Sequence, residues 1–319
     1  MTNRLELNWK LDGLIQEQRY YCSETPLDVN AMPIPKAVLA SDMRSYSDTS
    51  IEANKTYYVR VGSVKNSVEK ISSEVVVNTF ENPVKRIFAN GEKGLWFDFS
   101  DFSAMYQDTD GTVAITANGQ SIARINDKSG NNNHASQATT TKRPSVAVNG
   151  AFFDGIDDSL LTLLPVDYGG STVVEIYVKI KSIYRPGIAY NCVFESGNRF
   201  NTTGKVGFIS MSREENYAIT AATVSTTSPN YVLFSGNQQS YDGVYTLRIN
   251  PSKIEIDANG VKASNPITKN APFTNELLWI GSRPHNVDFM NGHIKQLIIV
   301  NRELTSQERD DLLLYLAEH

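Results

Sequence analysis

Four aspartates, Asp127, Asp154, Asp157 and Asp158, are the residues whose type and spacing first suggest chemistry. The first opens the polar stretch Asp127-Lys128-Ser129-Gly130-Asn131-Asn132-Asn133-His134. The others fall within Phe152-Phe153-Asp154-Gly155-Ile156-Asp157-Asp158. Loop carboxylates and carbonyls can surround Ca2+, a hard cation that takes about six to eight oxygens. The competing account is that these are turn residues bonding their own backbone, and it is preferred here. No cofactor is therefore expected, and Ca2+ is the one ion the residue types admit.

A second set has the chemistry of sugar binding, an aromatic platform beside amide and carboxylate partners. Arg283, His285, Asn286 and Asp288 share one loop between strands, and Tyr231 and Tyr241 lie near Asn230, Asn237, Gln238 and Gln239. Ordinary solvated loop is the alternative for each group. Trp96 and Trp279 sit in alternating strands and are expected in the core rather than as platforms. No catalytic residue is assigned. There is no G-x-S-x-G elbow, H-E-x-x-H pair or Walker loop. His134, His285, His293 and His319 fit no metal spacing, and Cys22 and Cys192 are expected as free, buried thiols in different domains.

Composition narrows the classes. The chain has 319 residues, 20% charged and 40% hydrophobic, with a formal charge of −5. That is globular material, and its sign argues against nucleic acid or an anionic membrane as a partner. Met1 to Trp9 has no apolar core of signal-peptide length, and no stretch approaches the roughly 18 apolar residues of a membrane span. The expectation is a chain made in the cytoplasm and not inserted in a membrane. It would leave the cell by lysis, by a dedicated route or as part of a particle.

The elements that must position these residues are almost all strands. Leu5, Leu7, Trp9 and Leu11 alternate on one face. Residues 19–22, 36–40, 56–64 and 73–79 continue an all-β domain over 1–80. A punctuated junction, 81–92, is expected to pack rather than to act as a tether. The second domain, 93–319, opens on Gly94 to Phe99, and Ser100 or Asp101 could cap a helical turn after it. In its strand 172–180, Val174, Ile176, Val178 and Ile180 face one way. Val173, Glu175, Tyr177 and Lys179 face the other, expected to be the wetter side. Thr305 and Glu308 form a capping box for a helix over 306–318.

Several of these motifs resemble known families. The order D-x-S-G-N-x-N-H (127–134), F-D-G-x-D-D (153–158), W-I-G (279–281) and F-x-N-G-x-I (289–294) resembles the concanavalin A-like lectin/glucanase superfamily, in its laminin G-like branch. The resemblance implies a two-sheet jelly-roll with binding on rim loops or the concave sheet. Residues 1–80 resemble a fibronectin type III domain, which implies a core place for Trp9 and a corner role for Tyr57. Phe88 to His134 is similar to the start of lectin-like domains in bacteriophage and prophage tail proteins. This implies a virion component, in tail, fibre or head decoration, present in many copies. Its partners would be other virion proteins and host-surface polysaccharide, and repeated copies would add avidity. A cellular carbohydrate-binding protein is the first alternative. A glycosidase is the second, but the glucanase pattern E-x-D-x-x-E meets Gly260 at its third position in Glu255-Ile256-Asp257-Ala258-Asn259-Gly260, so no enzyme is expected.

Overall fold

A computed structural model describes residues 5–11, 13–52, 55–79, 82–183, 190–197, 206–211, 217–224, 229–236, 240–268, 271–284 and 287–319, with backbone alone for 78, 190, 206–211, 217–224, 229–236 and 240–241. The chain divides into two units, Met1–Asn82 and Pro83–His319. The class is all-β, with a single long helix, Ser306–Glu318, among the described residues.

In the first unit the alternation at the start does what its period requires. Leu5, Leu7 and Trp9 are half-buried, while Glu6, Asn8 and Lys10 are exposed. Strand Leu5–Asn8 pairs antiparallel with Ser45–Asp48. A second sheet runs Ala37–Ala40, Glu17–Ser23, Lys55–Lys65 and Val68–Ile71, and Val75–Thr79 pairs with the first half of Lys55–Lys65. Tyr20, Leu39, Ile51, Tyr57 and Val59 form the core, against which Leu5, Leu7, Trp9 and Tyr46 pack. The Tyr57 hydroxyl accepts the Glu52 N–H at 3.1 Å, tying the preceding loop to the sheet. The Trp9 indole N–H donates to Gln18, whose amide in turn donates to the Ala40 carbonyl. The Tyr57 hydroxyl and the Trp9 indole N–H are thus paired, as burial demands.

The second unit is built from two antiparallel sheets. One runs Pro229–Gly236, Tyr217–Val224, Val206–Met211, Tyr190–Ser196, Leu278–Ile280, Leu160–Thr162, Ala135–Ser136, Arg124–Ile125 and Met105–Tyr106. The other runs Ser145–Ala147, Gly150–Asp154, Asn291–Val300, Val174–Ile183, Ser240–Ile249, Lys253–Ala258 and Val261–Pro266. Gly94–Asp98 pairs with the second half of Asn291–Val300. Their inward residues, among them Phe153, Leu160, Ile176, Val178, Phe194, Leu247, Ile280 and Leu297, make one core.

The expected partition of the 172–180 strand holds: Val174, Ile176, Val178 and Ile180 face this core. The other face is not the wet side expected. The C-terminal helix and the short helix Pro83–Ile87 cover it, and Trp96, Tyr177, Ile298, Val84, Ile87, Leu312 and Leu316 form a second apolar cluster there. Glu175, on that face, is 1% exposed and paired with Arg309 of the helix, whose Nε lies 3.1 Å from Oε2. From Pro83 onward, the expected 81–92 junction therefore belongs to the second unit. The capping box is present in full, with Glu308 N–H donating to Thr305 Oγ1 and Thr305 N–H to Glu308 Oε2. Asp101 caps a single tight turn, Phe102–Ala104.

Candidate functional site

Most of the motif residues have a packing task in the structure. Asp127 accepts from the Trp96 N–H (2.9 Å), the Ser129 N–H (2.9 Å) and hydroxyl (2.8 Å), and the Asn133 N–H (2.9 Å). Asn131 and Asn133 donate side-chain N–H bonds to the Gly94 carbonyl, and the Asp127 N–H donates to His134 Nδ1. The 127–134 loop is a latch on strand Gly94–Asp98. Its aspartate accepts from protein donors and lies outside the cluster formed by the other three.

Phe153, Gly281 and Gly292 belong to three different motifs and meet at one point. Phe153 pairs with Gly292 across the sheet, and a Cβ on Gly281 would overlap the Phe153 ring. Gly281 also has φ +78°, the left-handed region that favours glycine.

Asp154, Asp157 and Asp158 do converge. One potential ligand atom from each lies within 4.8 Å of the others. Asp154 Oδ1 accepts from the Ile156 N–H at 2.8 Å, and Asp158 Oδ2 accepts from the Asp154 N–H at 3.0 Å. No ion pair to any of the three is found among the described residues. Burial, together with the charges of Asp154 and Asp157, pushes the Asp158 carboxyl up to about 6, against the Asp154 N–H that it accepts. The donor set suits a hard cation in oxygen type and separation. The turn hydrogen bonds also satisfy the competing account, and both uses are compatible with the same geometry.

Of the sugar-type residues, Arg283 and Asp288 lie beside the outer face of the nine-stranded sheet. In strand Leu278–Ile280 the two aliphatic residues point into the core, so Trp279 points out, and it is half-exposed. This corrects its expected core position; Trp96 is buried, though beneath the helices rather than between the sheets. Trp279 stands directly opposite Leu161 on one side and Glu195 on the other. The backbone register carries the same row through Gly207 and Ala222 to Tyr231. Directly opposed residues share a face. The row thus places Glu195, Gly207 and Ala222 between two aromatic positions.

Glu195 is fully buried and receives Arg283 Nε at 2.7 Å, while Arg283 Nη1 donates to Asp288 at 3.1 Å. Burial alone would lower the Arg283 pKa, but the Glu195 charge and hydrogen bond outweigh it and hold the guanidinium protonated. The loop closes on itself through the Arg283 N–H and the Val287 carbonyl, at 3.0 Å. Asp288 sits at φ +54° and accepts from the Cys192 N–H through its own carbonyl.

Arg283 and Asp288 are therefore brought together, but with each other and with Glu195 rather than as free loop groups. His285 and Asn286 lie outside the described residues, as do the side chains of Tyr231 and Tyr241. The backbone puts these two tyrosines in different sheets. Glu195 and Trp279 were the residues missed. The Leu-Trp-Ile alternation carried the signal for Trp279. A lone glutamate in an apolar strand carried it for Glu195.

The glucanase-like string lies on the outer face of the other sheet. Ile254, Ile256 and Ala258 point to the core, so Glu255 and Asp257 point away. Glu255 is held by Arg248 and by Lys253 at 2.5 Å, and Asp257 accepts the Gly260 N–H in a turn. Cys22 and Cys192 are both free, the first half-buried and the second buried.

No family model and no curated protein matches this chain. Solved structures do. One is the binding domain of botulinum neurotoxin DC in complex with SialylT, 13% identical with a TM-score of 0.44, covering 68% of this chain and 52% of that one. A second comes from work on botulinum neurotoxin type C and its two ganglioside molecules, 15% identical with a TM-score of 0.46 over 71% and 51%. A third is a GH54 α-L-arabinofuranosidase soaked with a cyclic sulfate inhibitor, 14% identical with a TM-score of 0.48 over 74% and 65%. This chain spans about half to two thirds of the length of each.

Proposed function

We propose that this protein is a non-enzymatic virion component whose second unit binds a host-surface glycan through the outer face of its nine-stranded sheet. The observation that carries the binding site is the row of Trp279 and Glu195, with Arg283 and Asp288 fixed beside it. A half-exposed indole offers an apolar platform for a sugar ring, and Arg283 and Asp288, partly exposed and held in place by the buried Glu195, offer a donor and an acceptor for hydroxyls. The virion assignment rests on the resemblance of residues 88–134 to phage tail lectin-like domains. Tail, fibre and head decoration all fit it, as does contact with another virion protein in place of the glycan.

The non-catalytic reading is supported by how the acidic side chains are held. Glu175 is paired with Arg309, Glu195 with Arg283, and Glu255 with Arg248 and Lys253. A glycosidase needs two facing carboxylates, one of them able to carry a proton, and an adjacent arginine disfavours that protonated form at these three glutamates. Asp158, which does hold its proton up to about pH 6, is bonded into the 154–158 turn.

The test is binding of the full chain to a glycan array and to intact bacterial cells, with Trp279→Ala alongside. Binding that a defined sugar competes away, and that the variant loses while keeping its melting temperature, supports the reading. A folded protein silent on both surfaces removes the lectin role and leaves a particle-structural one.

A further inference from the structure

A different face of the second unit carries its own constellation. Phe152, His293, Lys181 and Asp242 stand directly opposite one another in four neighbouring strands: Phe152 pairs with His293, His293 with Lys181, and Lys181 with Asp242. Their chain neighbours Ala151, Phe153, Ile294 and Ile180 are core residues, so the row faces outward. Phe152 and His293 form a tilted aromatic pair with ring centroids 5.1 Å apart. Elsewhere on this sheet face the C-terminal helix covers the surface. It ends near Lys179, one strand period before Lys181, where the Lys179 amine donates to the Leu316 carbonyl at 2.6 Å. Among the described residues of this unit, no helix covers the row.

The local charge is cationic. Lys295 sits at the bulge opposite Lys179 and Ile180, and burial and its charge together depress the Lys179 amine. Burial, and then the charge of Lys181, likewise lowers the His293 imidazole against the opposing charge of Asp242. His293 Nδ1 is shielded from solvent and has no hydrogen-bond partner. Asp242 lies 3.5 Å from Lys181, but both side chains are exposed, and such a pair contributes little. Asp154 lies at the far end of the row, two residues from Phe152. Lys179 is already engaged in capping the helix, which leaves Lys181 and Lys295 for an incoming anion.

From this juxtaposition we infer that the Phe152–His293–Lys181 row, with Lys295, is a second binding site, and that its ligand is an acidic sugar. The ring packs on Phe152 and His293. A carboxylate, sulfate or phosphate substituent takes the place of Asp242 on Lys181 and reaches Lys295. The inference rests on the glycan-binding reading of the protein but uses a different sheet and different residues.

The test uses the full chain and two panels of short oligosaccharides, one neutral and one carrying uronate, sialate, sulfate or phosphate. Binding is read by calorimetry and by the His293 ring resonances. The expected result is that at least one acidic sugar binds and moves the His293 signals. Its affinity falls about tenfold or more in Lys181→Glu, roughly a 1.4 kcal/mol effect. It also falls as NaCl rises from about 50 to about 500 mM, because exposed ion pairs are screened. Phe152→Ala weakens binding as well, and Lys181→Glu leaves the melting temperature unchanged. Neutral-only binding, or acidic binding indifferent to both variants, overturns this site and leaves the Trp279 face standing. Binding of neither panel overturns both.

Discussion

At the scale of single residues, the clearest energetic statement concerns Asp158. Its carboxyl is pushed up to about 6 by burial beside Asp154 and Asp157, so the folded chain holds a proton that the unfolded chain releases near pH 4. Proton uptake on folding favours the native state below about pH 4, and that contribution is lost as pH rises through about 6. Asp158→Asn, which keeps an acceptor for the Asp154 N–H, is therefore expected to melt higher than wild type at neutral pH. It should also flatten the stability profile between about pH 4 and pH 6. Calcium separates the two uses of these carboxylates. If the cation binds, millimolar Ca2+ raises the wild-type melting temperature and has less effect on Asp158→Asn. Unchanged wild-type melting would make the three aspartates turn formers alone.

Gly281 makes a second prediction at the same scale. Its φ is positive and a side chain would run into Phe153, so Gly281→Ala should cost about 3 kcal/mol or more in chemical denaturation. A loss under about 1 kcal/mol would mean that Phe153 can move aside. In the first unit, Tyr57→Phe removes the acceptor of the Glu52 N–H and should cost about 1 kcal/mol. Equal stability of the two proteins would show that water replaces the hydroxyl without loss.

At the scale of elements, the C-terminal helix shows how a helix with a mixed polar sequence is fastened. Its buried contribution is small, chiefly Leu312, Tyr315 and Leu316, and the capping box fixes only where it begins. The stronger tie is Glu175. It accepts from Arg309 and from the Leu304 N–H, and its carboxylate also takes the Tyr177 hydroxyl at 2.6 Å. Removing one partner of a buried pair leaves the other charged and unsatisfied. Arg309→Ala is expected to cost about 3–5 kcal/mol and to expose Trp96, read as a red shift in tryptophan fluorescence before global unfolding. Replacing both Arg309 and Glu175 by apolar residues should cost less than Arg309→Ala alone. If the double variant is worse, the pair contributes more than its desolvation removes.

Strands with strict alternation are legible because a period of two leaves one solution for which side is buried: Leu5 to Trp9 and Val174 to Ile180 obey it, whereas Leu278 to Ile280 is too short for its period alone to show that Trp279 is the outward residue. What alternation does not state is what covers the other side. Glu175 and Tyr177 read as a wet face because nothing in their own strand announces a helix from residues 306–318 above them. Strands such as Ser145–Ala147 and Val261–Pro266 escaped notice for a related reason. They are short or exposed edges whose pairing is set by the neighbouring strand rather than by their own side chains. The site was less legible than the fold. Arg283 and Asp288 were found by residue type, but their partner Glu195 lies 88 positions away in sequence from Arg283, and only the sheet register brings them together.

At the scale of the whole molecule, the two units have separate hydrophobic clusters, one centred on Tyr20, Tyr57 and Val59 and the others on residues beyond Pro83. The strand contacts of the second unit are made by residues from Gly94 to Val300, and its outer cluster already includes Val84 and Ile87. A chain cut at 83 therefore keeps every buried residue of that unit, whereas one cut at 93 loses Val84, Ile87 and Phe88 from beneath the C-terminal helix. Each of those apolar side chains is worth about 1.5–3 kcal/mol when buried. The expected outcome is that residues 83–319 expressed alone unfold cooperatively, while 93–319 melts several degrees lower and shows earlier fluorescence change at Trp96. Equal stability of the two fragments would mean that the short helix rests on the sheet without supporting it. The domain would then begin, as its sequence pattern alone suggests, at the first core strand.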